Sequence, residues 1–188
     1  MVSSLRIIGG KWRSRKISFS DTGKVRPTPD RVRETLFNWL QSNVPDANCL
    51  ELYSGSGILS LEALSRGARW VTLVEKSNSV FCHLTSTFDA IPDDNYRLVN
   101  TMASKFLDET DLVYDIVFLD PPFNTSELDT ILPHLLEADV LAPHSYVYLE
   151  TNKPPDLPSG LSLHRQAKAG NVYYYLLAPA TDERGSKD

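Results

Sequence analysis

The feature that most constrains the fold is a regular alternation of strand-like and helix-like segments from residue 48 onward. Short runs rich in apolar and β-branched residues predict strands at 49–54, 70–76, 96–100, 114–120 and 145–151. Segments with helical periodicity predict helices between them at 57–67, 77–91, 103–109 and 126–139, the last with a kink or an early break at Pro133. Strands that alternate with helices are typical of a parallel sheet with right-handed crossovers.

The two ends of the chain depart from this alternation. Residues 161–179 predict two strands with a turn at 169–171 and no helix between them, which indicates an antiparallel hairpin at one edge of the sheet. Residues 5–19 contain two extended stretches broken by Gly9 and Gly10, and Thr28 or Asp30 is expected to cap a helix that ends near Asn43. We therefore predict a basic N-terminal arm or hairpin (1–27), one α/β domain (28–179) and a flexible tail (180–188).

Charge is distributed unevenly along the chain. Residues 1–33 carry nine Lys and Arg against two acids, whereas the remaining residues carry ten against 22. A localised basic segment can follow a phosphate backbone that an acidic body alone would repel. Because Trp12 and Phe19 interleave with these charges, we predict that the arm contacts nucleic acid. The candidate RNA-binding residues are Lys11, Arg13, Arg15, Lys16, Arg26, Thr28, Arg31 and Arg33.

Composition excludes several other classes of protein. The chain is 41% hydrophobic, and no apolar run reaches the ~18 residues that a membrane span needs. The four His and two Cys show no metal-ligand spacing, so no metal site is expected. We expect a soluble, cytoplasmic protein that binds no membrane and is a monomer.

The segment LELYSGSG leads from a predicted strand through two glycines into a helix. Gly55 and Gly57 would let the backbone approach a ligand closely, and the helix N-terminus offers free N–H groups. Ser60 stands where a dinucleotide fingerprint needs its third glycine, which argues against a dinucleotide oxidoreductase. Glu51, just ahead of the glycines, favours a ligand with an ammonium group, such as S-adenosylmethionine.

Two further acids are predicted at the same edge of the sheet. Glu75 ends the second strand, where a carboxylate can accept the hydroxyl hydrogens of a ribose. Asp120 ends the strand at 114–120 and is followed by Pro121, Pro122 and Phe123. The prolines have no N–H, so this corner offers acceptors to a ligand that donates hydrogen bonds, such as a nucleobase amine, on which Phe123 could stack. Guanine and adenine both remain open from these four residues.

At this point the sequence resembles a known family. RPTPDRVRETLFNWL, LELYSGSGILSLEALSRGA, VTLVEK and IVFLDPPF are similar to segments of the bacterial small-subunit ribosomal RNA guanine-N2 methyltransferases of the RsmD type, and the resemblance extends from Leu5 to Leu177. It implies a Rossmann-like class I S-adenosylmethionine-dependent methyltransferase fold with a mostly parallel seven-stranded sheet. It also implies methyl transfer to one guanosine of 16S rRNA, in the small ribosomal subunit as the partner.

The resemblance carries individual roles to matching positions. It implies that Asp120, Pro121, Pro122 and Phe123 hold the guanine and that Glu75 holds the ribose of the cofactor. Where many related methyltransferases have an acid for the adenine amine, this chain has Met102, so adenine contact is expected from the Ala103 backbone with Met102 and the Lys76 stem. The residues implied for the methionine end of the cofactor are Glu51, Tyr53, Gly55 and Gly57.

The expected chemistry is positioning of a weak nucleophile. If Asp120 and the Pro121 carbonyl each accept an N–H, the lone pair of the amine is aimed at the methyl group. An adenine N6-methyltransferase would use the same corner, and a non-catalytic RNA-binding assembly factor could retain the fold for binding alone. These two alternatives stay open at the level of the sequence.

Overall fold

The computed structural model of the chain describes residues 2–20, 27–123 and 125–180. The α-helices within these ranges are α1 (Asp30–Trp39), α2 (Ile58–Ser65), α3 (Asn78–Asp89), α4 (Ala103–Glu109) and α5 (Glu127–Glu137), and a short 3-10 helix spans Gly10–Trp12. The strands are β1 (Val2–Arg6), β2 (Lys16–Ser20), β3 (Asn48–Leu52), β4 (Trp70–Val74), β5 (Tyr96–Val99), β6 (Tyr114–Leu119), β7 (Leu141–Thr151), β8 (Leu161–Ala169) and β9 (Val172–Pro179).

Seven of these strands form one sheet in the order β5-β4-β3-β6-β7-β9-β8. The first five strands in this order pair in parallel, and β9 joins β7 and β8 antiparallel. The predicted seven-stranded, mostly parallel sheet with a C-terminal antiparallel hairpin is therefore confirmed. Because β3 and β6 lie in the middle with crossovers to both sides, their carboxyl ends flank the switch in strand order where α/β sheets bind ligands.

Apolar side chains cover both faces of the sheet. One core contains Leu36 and Phe37 of α1 with Leu61 and Leu64 of α2, and the other contains Ile131, with further side chains of α4 and α5. Burial on both faces explains why the central strands are almost continuously apolar in sequence. None of the helices in the described part of the chain combines the length and apolarity that crossing a bilayer requires.

The N-terminal strands β1 and β2 form a separate antiparallel pair. The chain between them packs on α2, because the N–H groups of Ile8 and Trp12 donate to side chains of that helix, at 2.7 Å and 2.9 Å. Ile7 and Ile17 are buried in the first core. The division into an arm of 1–27, a domain of 28–179 and a tail of 180–188 remains a prediction, and residues 21–26 and 181–188 lie outside the described part.

Several predicted helix ends differ from the structure. Pro29, and neither Thr28 nor Asp30, occupies the N-cap of α1, and no side chain caps it. The prediction is wrong because the Thr28 hydroxyl bonds Glu150, far away in sequence. The helix ends at Trp39 rather than near Asn43.

Of the two outcomes predicted at Pro133, a kink or an early break, the early break does not occur. The helix α5 continues through Pro133 to Glu137. Its buried side chains on both sides of the proline, Ile131 and Leu135, hold the helix against the sheet. Packing thus maintains a helix that local propensity alone would interrupt.

Candidate active site at the carboxyl edge of the sheet

A tight loop after β3 opens the site. Tyr53, Gly55 and Gly57 all have positive φ, at 62°, 52° and 68°. The Ser54 hydroxyl donates to the carbonyls of Glu51 and Val74, which ties this loop to the ends of β3 and β4. The loop therefore turns away from the sheet within a few residues and delivers the chain to the start of α2.

Gly55 and Gly57 lie in different surroundings. Gly55 lines the larger cavity of the site, as expected for a glycine beside a ligand. A Cβ on Gly57 would lie 2.6 Å from a methyl of Leu84 and 2.8 Å from the ring of Phe88, both on α3. Gly57 is therefore required by helix packing and by its backbone conformation, and the structure gives no contact between it and the cavity.

Glu51 lies beneath the loop and not in the cavity wall. Its carboxylate is buried and accepts a hydrogen bond from the Ser60 N–H at 3.0 Å, in the first turn of α2. Burial raises the pKa of Glu51 to about 7, although hydrogen bonds from Ser60 oppose the shift. Ser60, which replaces the third glycine of a dinucleotide motif, is thus the residue that holds this acid.

Glu75 is buried at the end of β4 and lines the same cavity as Gly55. One carboxylate oxygen accepts the Gly55 N–H at 3.1 Å, and the other accepts the Ser77 N–H at 2.8 Å. These two bonds fix the carboxylate at the mouth of the loop while leaving it lone pairs for a ligand.

The larger cavity has a volume of about 530 Å³, in the range of small-molecule sites. It brings together nine residues predicted from sequence, namely Tyr53, Gly55, Glu75, Lys76, Ala103, Asp120, Pro121, Pro122 and Phe123. Met102 is 56% exposed and is not part of the wall, whereas the amino group of Lys76 pairs with Glu127 at 2.8 Å. Sequence reasoning missed Ser77, Val80 and Thr101, which also line the cavity.

Asp120 follows β6 and is half-buried. Burial raises the pKa of this carboxyl well above its ordinary value, and the nearby acids Glu150 and Glu51 add to the shift. The three acids project from the same face of the sheet. Phe118 lies two residues before Asp120 and pairs with Glu51 on β3 and with Tyr148 on β7, and Tyr148 lies two residues before Glu150. Residues that pair, or that lie two apart on one strand, share a face of the sheet. The site therefore brings three carboxyl groups together, and a cationic ligand would stabilise their ionised forms.

A second cavity of about 350 Å³ lies on the other side of the Asp120 corner. Pro121, Pro122 and Phe123 line both cavities, so this corner is the shared wall between them. Glu150, at the end of β7, lines the second cavity. A small molecule in the first cavity and a base in the second would meet at this corner.

Glu150 is a site residue that sequence reasoning missed. It is 3% exposed, and one of its oxygens, Oε1, accepts hydrogen bonds from the Thr28 hydroxyl at 2.7 Å and the Tyr148 hydroxyl at 2.9 Å. Burial raises its pKa, and these two hydroxyls oppose the shift. The available signal was its position, since Glu150 is an acid at the carboxyl end of the strand next to β6.

The predicted RNA-binding residues fall into two groups. Lys11, Arg13, Lys16 and Arg31 are exposed, although Lys11 also pairs with Asp93. Arg15 is partly buried and donates to the Ala90 carbonyl, and Arg26 lies outside the described residues.

Two members of that set are buried and need correction. The Arg33 guanidinium is fully buried and donates to Glu62 at 2.6 Å, to the Arg6 carbonyl at 3.0 Å and to the Thr28 carbonyl at 3.1 Å. Thr28 itself is 4% exposed. Because their polar groups are satisfied inside the protein, we remove both from the predicted RNA-contact surface. Their role is to anchor the N-terminal segment to α2 and β7.

A search for metal ligands covers only the part of the chain that the structure describes. The described residues contain no group of three or more His, Cys, Asp or Glu side chains arranged to hold a metal. The acids of the site accept hydrogen bonds from backbone and hydroxyl groups instead.

Comparison with known proteins gives a consistent result. The family model described as Conserved hypothetical protein 95 matches residues 5–178. The Ribosomal RNA small subunit methyltransferase D of Escherichia coli (strain K12) is 43% identical over 175 residues, which cover 92% of this chain and 88% of that protein. The protein of the same name from Haemophilus influenzae is 36% identical over 178 residues, covering 92% of each.

A solved structure supports the same relationship. The structure described as the putative methyltransferase yhhF from Escherichia coli superposes with a TM-score of 0.88 at 40% identity. The match covers 96% of this chain and 100% of that chain. The similarity thus extends over the sheet, the glycine loop and the Asp120 corner together.

Proposed function

This chain belongs to the Conserved hypothetical protein 95 family, together with the ribosomal RNA small subunit methyltransferases D, and on that premise we propose that it methylates the N2 amine of one guanosine in 16S rRNA. It is an S-adenosylmethionine-dependent methyltransferase that acts on the RNA of the small ribosomal subunit. The observation that carries the finer proposal is the Asp120 corner, which forms the common wall of two cavities.

The larger cavity fits the cofactor. Its wall combines the Gly55 backbone, the Glu75 carboxylate and the first turn of α4 at Ala103. In the proposal Glu75 holds the ribose, and the acids Glu51 and Asp120 provide the negative charge that a sulfonium and an ammonium group need. The raised pKa values of these two acids support this fit, because a bound cation offsets the cost of ionising buried carboxyls.

When bound, S-adenosylmethionine supplies an electrophilic methyl group, and the chain supplies position and acceptors. Asp120 and the carbonyl of Pro121 each accept one N–H of the target amine, which orients its lone pair toward the cofactor cavity. Phe123 packs against the base. The same acceptors stabilise the positive charge that develops on nitrogen, so most of the rate gain comes from orientation and electrostatics.

The exposed basic residues support RNA binding by the N-terminal arm. Arg13, Lys16 and Arg31 are exposed, and Lys11 lies over the Trp12 ring at 4.6 Å from its centroid. Arg15 and Arg26 belong to the same proposed surface. In this proposal the arm (1–27) follows the phosphate backbone while the domain (28–179) performs methyl transfer.

The test is a methylation assay with product mapping. The protein is incubated with labelled S-adenosylmethionine and, separately, with unmodified small subunits, naked 16S rRNA and duplex DNA, and the products are digested to nucleosides. We expect label in N2-methylguanosine from the ribosomal substrates. Label in N6-methyladenosine would support the adenine alternative, and bound cofactor with no product from any substrate would support the non-catalytic one.

A matched pair of variants assigns the chemistry to the corner. Asp120→Ala is expected to lower the rate by on the order of 100- to 1,000-fold, as loss of one preorganised polar group does, while cofactor binding persists. Asp111→Ala, which removes an exposed acid before β6, serves as the control and should keep the wild-type rate. A near-normal rate for Asp120→Ala would refute the assignment.

A further inference from the structure

The Glu150 carboxylate is an unusual group to bury beside a cavity. It is 3% exposed and lines the second cavity. Both of its donors, Thr28 and Tyr148, bond Oε1, whereas Oε2 accepts no hydrogen bond from any group in the described part of the chain. Because Oε2 is nonetheless not among the buried polar atoms that lack a partner, it is reached from the cavity that Glu150 lines, where a ligand N–H can meet it.

The position of Glu150 relates it directly to the proposed reacting group. Leu119 of β6 pairs with Leu149 of β7, so Asp120 and Glu150 are equivalent positions on neighbouring parallel strands. Such strands lie about 4.8 Å apart. Two acceptors at this spacing can serve two N–H groups on one edge of a base.

Guanine and adenine differ on that edge. Guanine presents an N1–H next to its N2 amine, so both neighbouring positions donate. Adenine presents an unprotonated N1 next to its N6 amine, and this acceptor would face a carboxylate oxygen with no proton between them. A second carboxylate beside Asp120 therefore discriminates between the two bases in a way that the Asp-Pro-Pro-Phe corner alone does not.

We propose that Glu150 is the specificity-determining residue for guanine, with Oε2 accepting the N1–H of the target base while Asp120 accepts its N2 amine. This inference rests on the proposed function of the site. Thr28 and Tyr148 are positioning residues that hold Oε1 and thereby direct Oε2 into the second cavity. The motif RPTPDR thus contributes to base recognition through Thr28.

The experiment uses RNA in which the mapped target guanosine is replaced by 2-aminopurine riboside. This base keeps the 2-amine but has an unprotonated N1. Wild-type protein should methylate guanine faster than 2-aminopurine by on the order of 10- to 100-fold, the range for one hydrogen bond to a charged group.

Glu150→Gln provides the converse measurement. The amide oxygen accepts from the two hydroxyls, so the amide NH₂ takes the place of Oε2 and presents a donor to the base. We expect a slower rate on guanine, a faster rate on 2-aminopurine, and hence a preference that narrows or reverses. Glu137→Gln, at an exposed position on α5, is the control and should keep the wild-type preference.

Two outcomes overturn the proposal. The first is equal wild-type rates on the two bases. The second is an unchanged preference in Glu150→Gln, and if both rates fall equally, the role of Glu150 is purely structural. Failure of the wild-type protein to methylate any guanosine would overturn the proposed function as well. The reaction of the wild-type protein with guanosine-containing RNA therefore separates this failure from a failure of the Glu150 proposal alone.

The positioning role has its own readout. Thr28→Val removes one donor to Oε1 and should slow guanine methylation more than 2-aminopurine methylation, so that the guanine preference narrows, because Oε2 is then held less firmly against the N1–H. Thr28→Ser restores the hydroxyl and should restore the rate. A Thr28→Ser rate as low as that of Thr28→Val would contradict the hydrogen-bond explanation.

Discussion

Glu62 is the fully buried acid that joins the N-terminal segment to α2. It accepts hydrogen bonds from the Arg33 guanidinium at 2.6 Å and from the Ile8 N–H at 2.7 Å. Glu62→Leu preserves approximate volume but leaves the Arg33 charge buried, which typically costs about 3–5 kcal/mol. Because Arg33 keeps its ion pair with Asp30, whose side chain is 64% exposed, we expect the cost of the buried charge to lie at the low end of this range, at about 3 kcal/mol. The lost acceptor for Ile8 adds about 1 kcal/mol.

We therefore expect Glu62→Leu to lower the free energy of unfolding by about 4 kcal/mol, a large share of the 5–15 kcal/mol typical of a domain. Equilibrium urea denaturation, analysed by linear extrapolation, measures this loss. The control is Glu109→Leu, which breaks the exposed Lys105–Glu109 pair of 3.7 Å and should change stability by less than about 0.5 kcal/mol.

A double variant tests the cause of the loss. Arg33→Met combined with Glu62→Leu removes both charges, so no charge is left buried and unpaired, and the double variant should be more stable than Glu62→Leu alone. A loss below about 1 kcal/mol in Glu62→Leu, or a double variant whose loss equals the sum of the single losses, would refute the electrostatic reasoning.

Two further predictions concern Glu51 and the arm. Because the folded-state pKa of Glu51 is about 7 and its ordinary value is 4.5, the folded state binds more protons between these values, so this group makes wild-type stability fall as pH rises from 4.5 to 7. Denaturation at pH 5 and pH 8 should show a smaller fall in the free energy of unfolding for Glu51→Gln than for the wild type. An equal fall in the two proteins would contradict the raised pKa of Glu51. Arg13→Gln combined with Lys16→Gln should reduce the slope of log affinity for RNA against log salt by about 1–2, whereas Lys105→Gln on α4 should not. Equal slopes for the wild type and the double variant would show that these two exposed arginine and lysine side chains do not contact phosphates.

The sequence was informative wherever local pattern and tertiary structure agree. The alternation of strands and helices predicted the parallel sheet, and acids after strands predicted that Glu75 and Asp120 share one edge. Charge alone was a weaker guide. Arg33 was predicted on the RNA surface because it belongs to the basic segment of residues 1–33, but its burial is decided by its distant partner Glu62.

The missed features depend on contacts between residues far apart in the chain. Thr28 was assigned to helix capping by its local context, and no local pattern reveals that its hydroxyl reaches Glu150. Gly57 was attributed to ligand approach, whereas its nearest neighbours are Leu84 and Phe88 on a helix that starts 21 residues later. Such contacts form only when the crossovers bring distant strands and helices together, so the spacing of residues along the sequence could not predict them.

The hydrogen bond between Thr28 and Glu150 spans 122 residues of chain and has a consequence for synthesis. At 5–20 residues per second, a ribosome takes on the order of 10 s to add the chain between them. The glycine loop and the Asp120 corner are synthesised before β7, so the wall proposed to hold the cofactor is made before the wall proposed to recognise the base. On the proposed role of Glu150, a growing polypeptide could select a base only after its last parallel strand has been added.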